Sequence, residues 1–157
     1  MTVKFYDDIE DALLEFAVII SRSAGKWVFC KHKERDTYEI PGGHREMGET
    51  ILETAKRELW EETGAMDFTI TSVCAYSVTG KTRVNETGEE KYGMLYYANI
   101  RIFTQELNSE MEKVCLFDNQ PEPEDLTYPF IQPKLIEEVK RRNIDGLGIC
   151  GCSNVKK

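Results

Sequence analysis

The chain has 157 residues, enough for one ordinary domain that can bury roughly two-thirds of its unfolded surface. With 41% hydrophobic and 31% charged residues, two Trp, seven Tyr and seven Phe, the composition is that of a globular protein and excludes a disordered one. A formal net charge of -8 excludes nonspecific attraction to the backbone of duplex nucleic acid or to anionic membranes, because such binding needs Lys and Arg to neutralise phosphates.

A phosphate-bearing ligand stays open if a divalent cation bridges it to carboxylates. No run of 18 apolar residues is present, and the N-terminal stretch MTVKFYDDIEDALLEF is acidic where a signal peptide would begin basic and turn apolar. A cytoplasmic protein without a membrane partner is expected.

In chain order, Glu15 to Ser21 (EFAVIIS) and Lys26 to Lys31 (KWVFCK) read as strands, rich in β-branched and aromatic residues. Ser23-Ala24-Gly25 between them is a short turn, which predicts a hairpin. Tyr38 to Gly43 (YEIPGG) reads as a strand end running into a Pro-Gly-Gly turn, where the lack of a Cβ lets backbone approach a ligand. A helix is predicted from Thr50 to Thr63: Thr50 followed by Glu53 is a capping-box pattern, and Gly64 is a C′ glycine signal.

Strands follow over Phe68 to Thr79 and Tyr92 to Phe103, joined by a Gly-containing stretch, Thr79 to Lys91, that predicts a mobile hairpin loop. The last helix is predicted over Pro133 to Arg142, with Pro at N1, Leu135, Ile136 and Val139 on one side, and cations at the carbonyl end. Strands mixed with helices give an α/β or α+β class in a single domain, residues 1–157, with a core over about 10–143. The Gly-rich stretch 144–157 is expected to be a flexible tail.

Five cysteines without a CxxC pair indicate neither a disulfide framework nor a zinc ribbon. Cys30, Cys74 and Cys115 are expected to be buried thiols. Cys150 and Cys152 fall in the tail.

The segment Gly43 to Ala65 (GHREMGETILETAKRELWEETGA) concentrates negative charge. At about 100° per residue, with Glu58 at zero, Glu62 falls at about 40° and Glu61 at about -60°. Ala55, Leu59 and Leu52 form an adjoining apolar stripe at about 60° to 120°. One edge of the helix can therefore pack on a sheet while its neighbour presents carboxylates.

Glu58 and Glu62, at i and i+4, repel by a few tenths of a kcal/mol on a plain exposed helix. A hard dication reverses that sign, since Mg²⁺ binds through one or two carboxylates plus substrate phosphates. The ordinary alternative is a solvated face with Glu53 and Arg57 as an i, i+4 ion pair. The flanking Pro-Gly-Gly turn and Glu49 favour the ion-binding reading.

The same residues resemble the Nudix box, whose fixed positions are filled by Gly43, Glu49, Arg57, Glu58, Leu59, Glu61, Glu62, Gly64 and Ala65 with the spacings intact. Ala65 is smaller than the usual aliphatic residue, which bears on packing at the helix end. The resemblance implies a Nudix-type α/β/α sandwich with a mixed sheet. It also implies a hydrolase that uses Mg²⁺ or Mn²⁺ to cleave a phosphoanhydride of a nucleotide or nucleoside diphosphate derivative, and it leaves room for a homodimer.

By that resemblance Glu58, Glu62 and the carbonyl of Gly42 would ligate the metal, Glu61 would assist, and Arg57 would orient a carboxylate. Glu58 is the first choice for activating water, and Glu49 would face the site from the loop. A carboxylate outside the box is expected at Glu110, in NSEMEKVCLF before a late strand, with Glu112, Glu89 and Glu90 as rivals.

Specificity lies outside the box. Tyr38 is the first candidate to stack a base, with Phe5, Tyr6, Tyr76 and Tyr128 behind it. Asp118 and Asn119 are candidates to read a base edge, although the same residues can simply build a turn. The spelling YEIPGGHREMGET resembles the MutT-like branch acting on nucleoside triphosphates, including oxidised purine forms. The alternatives are removal of pyrophosphate from the 5′ end of RNA and a non-catalytic nucleotide sensor.

Overall fold

The structure is a computed structural model that describes residues 1–104, 111–142 and 144. Its strands are β1 (Thr2–Tyr6), β2 (Leu14–Ser23), β3 (Lys26–His32), β4 (Tyr38–Glu39), β5 (Gly42–His44), β6 (Ala65–Thr79), β7 (Lys91–Phe103) and β8 (Met111–Phe117). Two helices join them, α1 (Ile51–Thr63) and α2 (Gln132–Arg142). The strands form one sheet in the order β1-β6-β7-β2-β3-β4, with β5 on β2 and β8 on β3.

The central pair β2 and β7 is parallel, from Leu14↔Tyr92 to Arg22↔Asn99. The β6–β7 and β2–β3 pairs are antiparallel, so the sheet is mixed.

Strand alternation splits the core in two, because successive side chains point to opposite faces. Ala17 and Ile19 of β2, Val28 of β3, and Tyr96, Ala98 and Ile100 of β7 meet Ala55 and Leu59 of α1. Ile20, Trp27, Phe29, Leu95 and Tyr97 face the other way and meet Leu135, Ile136 and Val139 of α2. The result is the expected α/β/α sandwich, a helix on each face of one mixed sheet.

The helix signals hold in detail. Thr50 Oγ1 accepts from Glu53 N at 3.1 Å, and Glu53 Oε1 accepts from Thr50 N at 2.8 Å. Gly64, at φ 76°, closes the helix by donating to Trp60 O at 2.8 Å.

Several expectations need correction. Leu52, placed in the apolar stripe by its angle, is an exposed residue, and the buried positions of α1 are Thr54, Ala55, Leu59 and Thr63. Cys30 and Cys74 are buried, but Cys115 only partly so. Helix α2 begins one residue earlier than its Pro signal suggested, at Gln132.

The connection from Thr79 to Lys91 is the expected hairpin loop. It is stitched by Gly80 N to Gly88 O at 2.9 Å and Thr82 N to Asn85 O at 3.1 Å, with Asn85 buried. Residues 145–157, including Cys150 and Cys152, lie outside the described part. Among the described residues no helix is long and apolar enough to cross a membrane.

Candidate functional site

With Ala55 and Leu59 buried against the sheet, the neighbouring edge of α1 meets β5. Gly42 N donates to Glu62 Oε1 at 2.9 Å. A Cβ built on Gly43 would stand 2.2 Å from Glu58 Oε2, so the absence of a side chain there is what admits the Glu58 carboxylate. Gly42 is equally constrained, since its Cβ would meet Ala17 O at 2.7 Å. Gly42 and Gly43, expected in a turn, lie instead on the short strand β5 paired with Val18 and Ala17 of β2, and it is this strand that brings backbone and the two carboxylates together.

Arg57 organises the rest. Its Nε donates to Glu49 Oε2 at 2.6 Å and its NH2 to Glu49 Oε1 at 3.1 Å, a two-point grip. NH1 reaches Glu58 Oε2 at 2.9 Å and Glu61 Oε1 at 3.2 Å, and NH2 also donates to His44 O at 3.0 Å. The i, i+4 pair with Glu53 is not what this Arg makes, because Glu53 is spent on the helix cap. Glu49 faces inward from the loop as expected, where it also accepts from Thr54 Oγ1 at 2.8 Å and Glu46 N at 3.0 Å.

The electrostatics differ sharply across this cluster. The hydrogen bond from Arg57 holds the Glu49 carboxyl down at about 2, and the bond from Glu46 N adds to it. Burial raises Glu58, partly opposed by Arg57. Burial also raises Glu62 to about 8; the Gly42 N–H opposes the rise, and the charges of Glu58, Glu39 and Glu61 add to it. Among the described residues an ion pair reaches Glu58 from Arg57, but none reaches Glu62. A buried carboxylate without a countercharge is expensive.

Beside the glycines opens a cavity of about 180 Å³ on the α2 face. Phe16, Val18, Ile40, Tyr76, Val78 and Leu135 give it an apolar lining, Gly42 and Gly43 border it, and Thr82, Val84 and Asn85 of the hairpin loop form one side. The edge-on contact of His44 with Phe16, 6.1 Å between centroids, lies at the same border. Glu39, Lys91, Tyr128, Ile131 and Gln132 complete it.

The box residues Glu49, Arg57, Glu58, Glu61 and Glu62 are brought together with Gly42. Tyr76 and Tyr128 reach the cavity. Tyr38 does not line it; its ring packs edge-on against Phe117 at 5.1 Å. Asn119 is exposed in the bend after β8, beside Asp118, which pairs with Lys26 at 3.5 Å. Phe5 and Tyr6 belong to β1, a strand the sequence did not reveal, and neither lines the cavity.

Glu110 lies outside the described residues, as does the side chain of Glu112. Of the rivals, Glu90 is occupied by Tyr6 OH at 3.0 Å and Ser77 Oγ at 2.7 Å, and Glu89 accepts from Thr87 Oγ1 at 3.0 Å. Two cavity residues carried no signal in the sequence. Glu39 is buried and held by Arg35 and by Thr127 Oγ1 at 3.2 Å. Gln132 stands at the start of α2.

A family model described as NUDIX domain matches residues 13–139. Over 105 residues the chain is 34% identical to the Bacillus subtilis protein named "Putative 8-oxo-dGTP diphosphatase YtkD". That match takes in 66% of this chain and spans 62% of the relative's length. Among solved structures, the Bacillus subtilis pyrophosphohydrolase BsRppH superposes with a TM-score of 0.73 at 26% identity, covering 90% of this chain and 92% of that one. A NUDIX hydrolase from Nitrosomonas europaea, at 18% identity, TM-score 0.65 and coverage of 82% and 89%, shares the fold.

Proposed function

Because this chain belongs to the NUDIX domain family, we propose that it is a divalent-cation-dependent pyrophosphohydrolase that cleaves a phosphoanhydride of a nucleoside triphosphate, releasing nucleoside monophosphate and pyrophosphate. The observation that carries this reading is the buried pair Glu58 and Glu62 against Gly42 and Gly43, of which Glu58 alone has a cationic partner among the described residues, at the border of a cavity sized for part of a nucleotide.

The residues present fit the Mg²⁺ or Mn²⁺ that the family implies. Their donors are hard oxygens, Glu62 has no cationic partner among the described residues, and its raised carboxyl is the signature of a charge awaiting one. No group of three His, Cys, Asp or Glu gathers closely enough among the described residues to hold a metal alone. Two carboxylates completed by substrate phosphate oxygens are the usual arrangement for Mg²⁺. Glu58, Glu62 and the Gly42 carbonyl would hold the ion, which supplies charge neutralisation for the phosphate chain and a more acidic water.

The chain's own groups then have distinct tasks. Arg57 holds Glu58 and Glu61 at fixed positions through NH1 while Glu49 anchors its other side. Glu58, raised by burial yet touched by Arg57, is placed to take a proton from the attacking water, and Glu61 assists. The apolar cavity excludes water around the base end of the nucleotide. The likeness to YtkD supports a nucleoside triphosphate of the oxidised purine kind.

A second reading, removal of pyrophosphate from the 5′ end of RNA, is supported by a shallow groove that shares Thr82, Tyr128 and Ile131 with the cavity. Lys81 and Arg83 line it, with Phe130 exposed for stacking. The likeness to BsRppH points the same way. Product analysis separates the readings: canonical and oxidised nucleoside triphosphates and a triphosphorylated RNA are incubated with Mg²⁺, and released pyrophosphate is quantified. Turnover of none of them would remove both.

A further inference from the structure

On the side of α1 that carries the carboxylates, one turn before Glu58, a threonine is fully buried. Thr54 is 0% exposed. Threonine is a poorer helix former than alanine, and a hydroxyl taken out of water needs a partner, so helix stability alone gives no reason for it there. Its Oγ1 lies 2.8 Å from Glu49 Oε1 and 3.2 Å from Thr50 O. A hydroxyl has a single proton to give, and the shorter contact to the charged acceptor takes it.

Glu49 is saturated as a result. Oε1 accepts from Thr54 Oγ1, from Glu46 N at 3.0 Å and from Arg57 NH2 at 3.1 Å, while Oε2 accepts from Arg57 Nε at 2.6 Å. These donors match the roughly four lone-pair sites of a carboxylate. Arg57 is saturated too. Besides its two bonds to Glu49 it donates to His44 O, Glu58 Oε2 and Glu61 Oε1, which engages every N–H that a guanidinium offers.

The donors to Glu49 differ in what they can fix. Glu46 N moves with the loop that carries Glu49, and Arg57 is the group whose placement is at issue. Thr54, buried within the helix, is the fixed reference among the described donors. Without its hydroxyl the carboxylate can turn with its loop and take the guanidinium with it. We propose that Thr54 is a positioning residue for hydrolysis: its hydroxyl locks the Glu49 carboxylate, and through it the Arg57 fork that sets Glu58 and Glu61. The kinetic consequence rests on the pyrophosphohydrolase reading above, whereas the clasp itself needs no turnover.

Thr54→Val and Thr54→Ala remove the donor, the first keeping the side-chain shape, and Thr54→Ser keeps it. Exchange of the Arg57 Nε proton with water is followed by NMR, its resonance being assigned by its loss in Arg57→Lys. That proton is expected to exchange at least about threefold faster in Thr54→Val and Thr54→Ala, and close to the wild-type rate in Thr54→Ser. In steady state the two donor-less variants should lose about three- to tenfold in kcat with KM within about twofold of wild type, while Thr54→Ser keeps about half or more of kcat. Because the effect passes through Arg57, adding Thr54→Val to Arg57→Lys should cost less than about twofold further.

An Arg57 proton as protected in Thr54→Val and Thr54→Ala as in wild type overturns the proposal. So does an unchanged kcat in those variants, a Thr54→Ser that falls as far as they do, or losses that multiply in the double variant. If the proton is released as expected but no nucleotide is hydrolysed, the hydrolase reading falls and the Thr54 clasp stands.

Discussion

Arg57 and Glu49 are joined at two points, Nε to Oε2 at 2.6 Å and NH2 to Oε1 at 3.1 Å, eight residues apart and across the start of α1. That grip leaves NH1 to reach Glu58 and Glu61. Lysine carries a single ammonium and cannot serve both sides of this fork. Arg57→Lys is therefore expected to lower kcat by about ten- to a hundredfold with a smaller change in KM, since it loosens geometry rather than removing a contact to substrate. Steady-state kinetics on the best nucleotide checks this, and equal loss in KM would argue for direct substrate binding by Arg57.

The same pair gives an acid signature. Arg57 holds Glu49 at about 2, below its ordinary value of 4.5. A carboxyl depressed on folding contributes stability that is fully present above its unfolded value and is lost as pH falls through the folded one. The stability gap between wild type and Glu49→Gln should be constant above pH 5 and shrink between about pH 4.5 and 2. Denaturant midpoints across that window measure it, and a gap that stays constant would show that Glu49 titrates normally.

Adjacent glycines are expected to fail in different ways. At Gly42 an added Cβ meets the backbone oxygen of Ala17 at 2.7 Å and Val18 Cγ2 at 2.9 Å, neither of which can swing aside. Gly42→Ala should cost about 1–3 kcal/mol in stability as well as activity. At Gly43 the obstructing atoms are the far end of the Glu58 side chain, which can move. Gly43→Ala should keep nearly the wild-type melting temperature and lose most of its turnover. Thermal unfolding and turnover measured together distinguish the two.

Helix α1 begins on a reciprocal cap, Thr50 Oγ1 to Glu53 N and Glu53 Oε1 to Thr50 N. Thr50→Ala is expected to cost about 1 kcal/mol. Because the cap sits at the opposite end of the helix from Glu62, kcat at a temperature where the variant is folded should change less than it does in Arg57→Lys.

What the sequence disclosed follows from how local each signal is. The cap at Thr50, the closing Gly64 and the spacing of Glu58, Glu61 and Glu62 lie within one helix, so they were legible, and the strands β2, β3, β6 and β7 showed as apolar runs. Strand β1 was not legible: Thr2–Tyr6 pairs with β6 and alternates exposed with half-buried residues, so it carries no apolar run. Leu52 was misplaced because angle on a helix does not say where the covering sheet ends. The true partner of Arg57 is fixed by how the loop before α1 folds back, which i, i+4 spacing cannot foresee. Residue type alone singles out Tyr38 and Asn119 and not Glu39 or Gln132, because the wall of a cavity is assembled from separate stretches of chain that only the fold brings together.

The central claim is that Glu58 and Glu62 form the protein's share of a dication site, and magnesium-dependent thermal unfolding in the presence of nucleoside monophosphate addresses it most directly. The expected result is a wild-type melting temperature that climbs through the millimolar range of Mg²⁺, as a ligand bound only to the folded state requires. The double variant Glu58→Gln, Glu62→Gln should not respond, and in EDTA it should be at least as stable as wild type because two carboxyls whose charged form burial disfavours have become neutral amides. A wild-type curve that stays flat, or a double variant that climbs equally, would contradict the claim.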